Sequence, residues 1–299
     1  MILSSILDRI GNTPLVRIHE LTKHLPPKVE IYAKLEYFNP GGSVKDRPAY
    51  RMIQEGIKAG KLTRRKIIMD PTSGNTGVAY AMIGAVMGYQ VELVLPENAS
   101  HQRKETARAF GANLVFSSAM EGSDGAIRLA RRLYEENPGK YFMPDQYNNE
   151  FNSLAHYDTT AMEIWEQTGK RVTHFVATMG TSGTAMGTSR RLKELNKNIY
   201  CMGAQPAHAL HGLEGLKHMP TSIVPGIYHE RELDEVMGLE TEPSYDLAEL
   251  LGKEEGLLVG YSSGAAMLAA LELTKRIKEG VIVTIFPDHG DRYFEGMRW

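Results

Sequence analysis

The sequence predicts an α/β protein of two domains, each a mostly parallel sheet flanked by helices. Three observations lead there. Strand-like runs alternate with helix-periodic segments along nearly the whole chain, the pattern of parallel strands joined by helical crossovers. Glycine-rich turns fall where a strand hands over to a helix, the position at which α/β folds bind ligands. With 299 residues, 42% of them hydrophobic, the chain can bury one large or two medium cores.

The strand candidates, in chain order, are residues 30–35, 66–70, 91–95, 113–117, 174–177, 199–204 and 281–286. Apolar positions recur at helical spacing between them. Ala126, Ile127, Ala130, Leu133 and Tyr134 mark one helix, which Asn137-Pro138-Gly139 ends. No fixed-period repeat or low-complexity linker interrupts the pattern. The polar stretch Asp145-Gln146-Tyr147-Asn148-Asn149-Glu150 follows a strand and precedes a helix near residues 156–167. It is the natural domain boundary, and it puts a cleft between two halves.

Charge excludes several classes of function. Lys and Arg total 34 against 36 Asp and Glu, so the basic excess of a nucleic-acid protein is missing. The clusters Arg64-Arg65-Lys66 and Arg131-Arg132 read as solvated surface. The N-terminus shows neither a basic nor an apolar leader region, and no signal peptide is expected. The longest apolar run, residues 78–87, is far short of the ~20 residues that span a bilayer and reads as a buried helix. The single cysteine, Cys201, suits a reducing, cytoplasmic setting and reads as a small buried hydrophobe. No Cys/His pair has zinc-ligand spacing, so no metal is expected.

The chemistry concentrates in four turns. In Gly41-Gly42-Ser43-Val44-Lys45-Asp46-Arg47, Ser43 and Asp46 have the spacing of a capping box. Pro48 requires the following helix to start close to Lys45, because an interior proline lacks the N–H and clashes one turn back. Lys45 then sits at a helix N-terminus, whose dipole disfavours the ammonium form, as imine formation with an aldehyde requires. Taken alone, this is equally an ordinary exposed lysine. The turn Pro71-Thr72-Ser73-Gly74-Asn75-Thr76-Gly77 offers hydroxyls and backbone N–H groups that suit a carboxylate. Gly180-Thr181-Ser182-Gly183-Thr184 offers the same to a phosphate, with no cation in the loop. It is not a P-loop, for it lacks the terminal Gly-Lys-Ser/Thr. Gly180, Gly183 and Gly187 also miss the dinucleotide spacing. Each turn alone is equally a plain strand–helix crossover. In the fourth, Gly260-Tyr261-Ser262-Ser263-Gly264, Ser262 offers one neutral hydrogen bond or a simple helix cap.

In this order the four segments resemble the β-family of pyridoxal-phosphate (PLP) enzymes, specifically the cysteine synthases (O-acetylserine sulfhydrylases). The likeness runs from Ile10-Gly11-Asn12-Thr13-Pro14-Leu15 to Gly290-Asp291-Arg292-Tyr293, and the stretches Ala155-His156-Tyr157 and Gly290–Phe294 are similar to the B-type enzymes. The resemblance implies the tryptophan synthase β-like fold (fold type II), with residues 39–149 and 1–16 as a smaller movable domain. Residues 150–299 with 17–38 would form the larger one, and the active site would lie between the two. It implies that Lys45 binds the PLP aldehyde as an imine and later removes the substrate α-proton. Asn75 would bond the ring oxygen, Gly180, Thr181, Ser182, Gly183 and Thr184 the phosphate, and Ser262 would face the pyridine nitrogen. Thr72, Ser73, Gly74 and Thr76, with Gln146, would hold the substrate carboxylate, and Lys217 would meet anionic substrates at the mouth. A homodimer is implied, with a sulfur-carrier protein or a serine acetyltransferase as candidate partners. A serine/threonine dehydratase fits less well, since Thr76 and Thr181-Ser182 depart from its pattern. Cystathionine β-synthase shares the core, but the chain shows neither a haem segment nor a regulatory domain. A catalytically silent binding protein is opposed by the intact Lys45, Asn75 and Ser262, and a nicotinamide dehydrogenase by the glycine spacing.

Overall fold

The computed structural model describes residues 2–72 and 74–294. Its elements run β1 (Leu15–Arg17), β2 (Val29–Leu35), α1 (Asp46–Lys58), β3 (Ile67–Pro71), α2 (Asn75–Met87), β4 (Val91–Pro96) and α3 (His101–Ala109). Next come β5 (Asn113–Ser117), α4 (Gly122–Glu136), β6 (Tyr141–Phe142), α5 (Glu150–Ala155), a π-turn (His156–Thr160), α6 (Ala161–Gln167) and β7 (His174–Thr178). The chain then forms α7 (Gly183–Leu195), β8 (Tyr200–Pro206), β9 (Glu235–Leu239), α8 (Thr241–Glu255), α9 (Tyr261–Thr274) and β10 (Gly280–Phe286).

Two sheets result. One has the order β5-β4-β3-β6, the other β1-β2-β10-β7-β8-β9. Every strand pair is parallel except β1 with β2. Each of the seven strand candidates is a strand. The short β1, β6 and β9 are additions. The central β10 is covered on both faces, which is why it reads as a nearly unbroken apolar run. Ile68 and Leu93 pack with α1 and α2, while Met69 and Val94 pack with α4. Ile31 and Ala33 pack with α9, and Val283 and Phe175 with α6 and α7. Leu7 joins the core of the four-stranded sheet. The strand β2 pairs in the other sheet with β10, along its full length.

Two local expectations need correction. The helix expected near residues 156–167 begins earlier, at Glu150, because the Asn149 side chain accepts the N–H of Phe151 and caps it. The Ser43/Asp46 capping box does not form. Ser43 accepts from the N–H of Lys45, while the Asp46 carboxylate turns back to take the N–H of Gly41 at 2.5 Å. Cys201 is buried in β8 as expected, and burial pushes its thiol up to about 11, so it is no nucleophile. Among the described residues no helix is long and apolar enough to cross a membrane.

A buried ion cluster fixes the start of α1. The Arg47 guanidinium forks onto Glu36 (2.7 and 2.8 Å) and onto Glu163 (2.6 and 2.8 Å). Glu163 also holds Lys34 at 2.7 Å, and Lys34 donates to the carbonyl of Thr13 and to Gln167. Burial pushes the Glu163 carboxyl up, but the Arg47 and Lys34 contacts win and hold it down at about 2. Arg47→Met is expected to cost about 3–5 kcal/mol, because Glu36 and Glu163 would stay buried with one lysine between them. Urea unfolding measures it, and a loss below about 1 kcal/mol would contradict the cluster's role.

Candidate active site

The carboxyl ends of both sheets face one cleft, and it collects the residues singled out in the sequence. Lys45, Thr72, Gly74, Asn75 and Thr76 line it from the four-stranded half and Gln146 from the connection. Gly180 to Thr184, Lys217 and Ser262 line it from the other half. Ser73 lies outside the described residues.

Lys45 is the N-cap of α1, where Pro48 falls in the first turn and does no harm. Its side chain lines the cleft. Burial pushes its pKa down. Arg103 adds to this, and the Asp288 carboxylate opposes it. The sequence argument assigned the effect to the helix dipole, but burial leads.

The loop between β7 and α7 is a cradle of neutral donors. Its turn passes through the left-handed region at Ser182 (φ 70°), a strained conformation for a residue with a side chain. The Ser182 hydroxyl is buried with no partner. Gly183 packs so closely that a Cβ would lie 2.0 Å from the Asn152 side chain, and Asn152 in turn donates to Thr181 at 3.1 Å. Thr184 meets Nε2 of His156 at 3.2 Å, and Nδ1 of His156 meets Thr160 at 2.9 Å. Burial drives this histidine down to about 3, so it stays neutral. The first N–H groups of α7 have no carbonyl behind them and point at the same space.

The opposite turn is tied to the connection. Thr72 accepts from the N–H of Gly77 at 3.1 Å and of Gly74 at 3.3 Å, and Thr76 donates to Gln146 at 2.8 Å. Gln146 donates to the carbonyl of Pro71 at 2.9 Å. Beneath them Asp70 is fully buried, accepting from Tyr80 at 2.8 Å and from the Gln146 N–H at 3.3 Å. Burial pushes its pKa up to about 8.

Sequence reasoning missed Asp288 and Arg103. Asp288, just past β10, is buried and accepts from Asn75 at 2.6 Å and from Tyr293 at 2.6 Å. Arg292 donates to the Asn75 oxygen, so the Asn75 amide is engaged at both ends. Arg103, on α3, is 6% exposed, pairs with Glu214 and lies over the Tyr293 ring. Asp288 had a signal, its place at the carboxyl end of a strand. Arg103 had none, being one of many helical cations.

A lysine with its ammonium form disfavoured, a neutral phosphate-sized cradle and a hydroxyl at a third point fit an aldehyde cofactor bearing a phosphate. Comparison agrees. The chain belongs to the pyridoxal-phosphate dependent enzyme family, whose model matches residues 6–288. It is 52% identical to the cysteine synthase of Aquifex aeolicus, over 97% of this chain and 90% of that protein. It is 40% identical to cysteine synthase B of Escherichia coli, over 97% and 94%. A cysteine synthase structure from Entamoeba histolytica superposes with a TM-score of 0.94 at 38% identity, covering 99% of this chain and 90% of that one. The cofactor is pyridoxal phosphate, and the unpartnered Ser182 hydroxyl and the cleft-lining Lys45 are what such a group would engage.

The Asp70 environment sets a pH dependence. A carboxyl whose pKa is raised on folding stabilises the fold fully below the unfolded value of 3.8, and that stability is lost as pH rises through about 8. Asp70→Asn removes the titration. The melting temperature of the variant should therefore gain on the natural protein steadily from pH 5 to pH 8, and a constant difference would show that Asp70 is ionised throughout.

Proposed function

We propose that this enzyme is a cysteine synthase. It would replace the β-substituent of O-acetylserine or O-phosphoserine with sulfur from sulfide or another donor, giving L-cysteine. The observation that carries the reading is a depressed-pKa lysine placed between a carboxylate-sized turn and a neutral serine, in one cleft. When bound, pyridoxal phosphate supplies an electron-withdrawing ring next to the reacting carbon.

Each residue then has a task it can perform. Lys45, with its ammonium form disfavoured, binds the aldehyde and afterwards takes the substrate α-proton. Thr181 to Thr184 and the α7 N–H groups would hold the phosphate, and Asn75 would exchange part of its Asp288 and Arg292 pairing for the ring oxygen. Thr72, Ser73, Gly74, Thr76 and Gln146 grip the substrate carboxylate. Ser262, 5% exposed on the first turn of α9, would face the pyridine nitrogen with one neutral hydrogen bond. A weak electron sink suits elimination, in which the departing acetate or phosphate carries the electrons away. Residues 39–149 with 1–16 would move as a unit over the carboxylate and exclude water. Lys217 is 7% exposed and cleft-lining, which supports recognition of an anionic donor or acceptor at the mouth. We also infer a homodimer, with a sulfur-carrier protein or serine acetyltransferase as candidate partners.

Lys45→Ala should abolish cysteine formation while the phosphate cradle still retains some cofactor, read by absorbance after gel filtration. Full turnover in that variant would refute the assignment. Offering homocysteine in place of sulfide separates cysteine from cystathionine synthesis. Lys217→Ala should weaken phosphoserine or thiosulfate about tenfold, the value of a charge-assisted contact that must first displace Asp124. The loss with acetylserine and sulfide should be clearly smaller, and equal losses would remove Lys217 from substrate recognition.

A further inference from the structure

The segment between β8 and β9 crosses the mouth of the cleft, and residues 211–220 are fixed to their own half by neutral contacts. Tyr245 donates to the carbonyl of Gly212 at 2.8 Å, and the N–H of Lys217 to the carbonyl of Met179 at 3.0 Å. The Gly215 carbonyl lies so close over Gly180 that a Cβ there would stand 2.1 Å from it. Towards the other half the same segment makes two ion pairs. Arg103 on α3 reaches Glu214, and Lys217 reaches Asp124 in the first turn of α4 at 3.3 Å.

These pairs are reciprocal. One cation points from the four-stranded half to an anion on the segment, and the other points back. Each couples a buried, positioned cation to a partly exposed anion. The side chains of Arg103 and Lys217 are 6% and 9% exposed, those of Glu214 and Asp124 41% and 31%. Arg103 is steadied by the Tyr293 ring at 5.0 Å and by Asp288 at 3.9 Å, and Lys217 by the Tyr147 ring at 5.2 Å. Opening the mouth would return the two anions to water and part each cation from its ring, since Tyr293 follows β10 and Tyr147 lies in the connection after β6. The rings therefore favour the same closure as the ion pairs.

We propose that Arg103–Glu214 and Lys217–Asp124 act together as a clasp that fastens residues 211–220 across the cleft and sets the rate at which product leaves. The inference rests on the cleft being the substrate site proposed above. Glu214 and Asp124 are positioning residues, since neither needs to touch the reacting atoms. A clasp of partly exposed pairs is weakened by salt, because the screening length falls from roughly 10 Å at 0.1 M to a few ångström at 1 M.

The test uses the full-length, cofactor-loaded protein and the variants Glu214→Gln, Asp124→Asn and the two combined. Amide hydrogen exchange of a peptide covering 211–220 reports opening without reference to turnover, and stopped-flow measurement of cysteine release reports the exit rate. Each single change should speed exchange about threefold and the double change about tenfold, in line with two partly exposed pairs. Raising KCl to about 0.5 M should speed exchange in the natural protein and leave the double variant unmoved. Exchange that is unchanged in the double variant, or that responds to salt as the natural protein does, would overturn the clasp. A protein that forms no cysteine but shows the exchange pattern would refute the function and leave the clasp standing. Normal cysteine synthesis with unchanged exchange would do the reverse.

Discussion

The cluster of Lys34, Glu36, Arg47 and Glu163 is the constraint on which the site depends. It joins β2, the turn after it, α1 and α6 through charges that are almost wholly out of water. Taking such ions from water costs several kcal/mol each, and only near-complete satisfaction offsets it. Here both forks of Arg47 are filled, Thr13 and Asn39 also bond Glu36, and Thr159 bonds Arg47. The geometry has little freedom left. Arg47 lies two residues beyond Lys45, so the cluster fixes where α1 begins and hence where the lysine enters the cleft.

The same low-polarity surroundings give the lysine its chemistry. A buried ammonium is disfavoured unless a counter-charge stands close, and the competition between burial, Arg103 and Asp288 decides its state. Asp288 is shared among Asn75, Tyr293 and Arg103, so its charge is already partly spent before it acts on Lys45. Removing any one of those partners would make the carboxylate a stronger counter-ion and hold more of Lys45 in its ammonium form.

Much of this was legible in the sequence, because strands buried on both faces must be apolar and turns that bind anions must expose N–H groups and hydroxyls. The seven strands and the four turns follow from those rules. What stayed hidden has physical reasons. β6 has two residues and β1 three, too short for any period to show. Asn149 looked like part of a polar boundary because a helix cap and a loop use the same residues. Glu36, Arg103 and Asp288 gain their roles from partners far along the chain, and no spacing between residues encodes such pairings.

The cleft also separates its charges in a way that bears on how it holds a cofactor. At the β7–α7 end every contact is neutral, from Ser182 and Thr181 to the uncharged His156 behind Thr184. At the mouth stand Arg103, Lys217, Glu214 and Asp124, already paired with one another. A phosphate held among such dipoles would keep its field, and that field would favour a cation at Lys45, opposing burial. A guanidinium in the cradle would cancel it and leave the lysine more strongly deprotonated. The charges of the cleft are thus gathered at its mouth, apart from the neutral cradle.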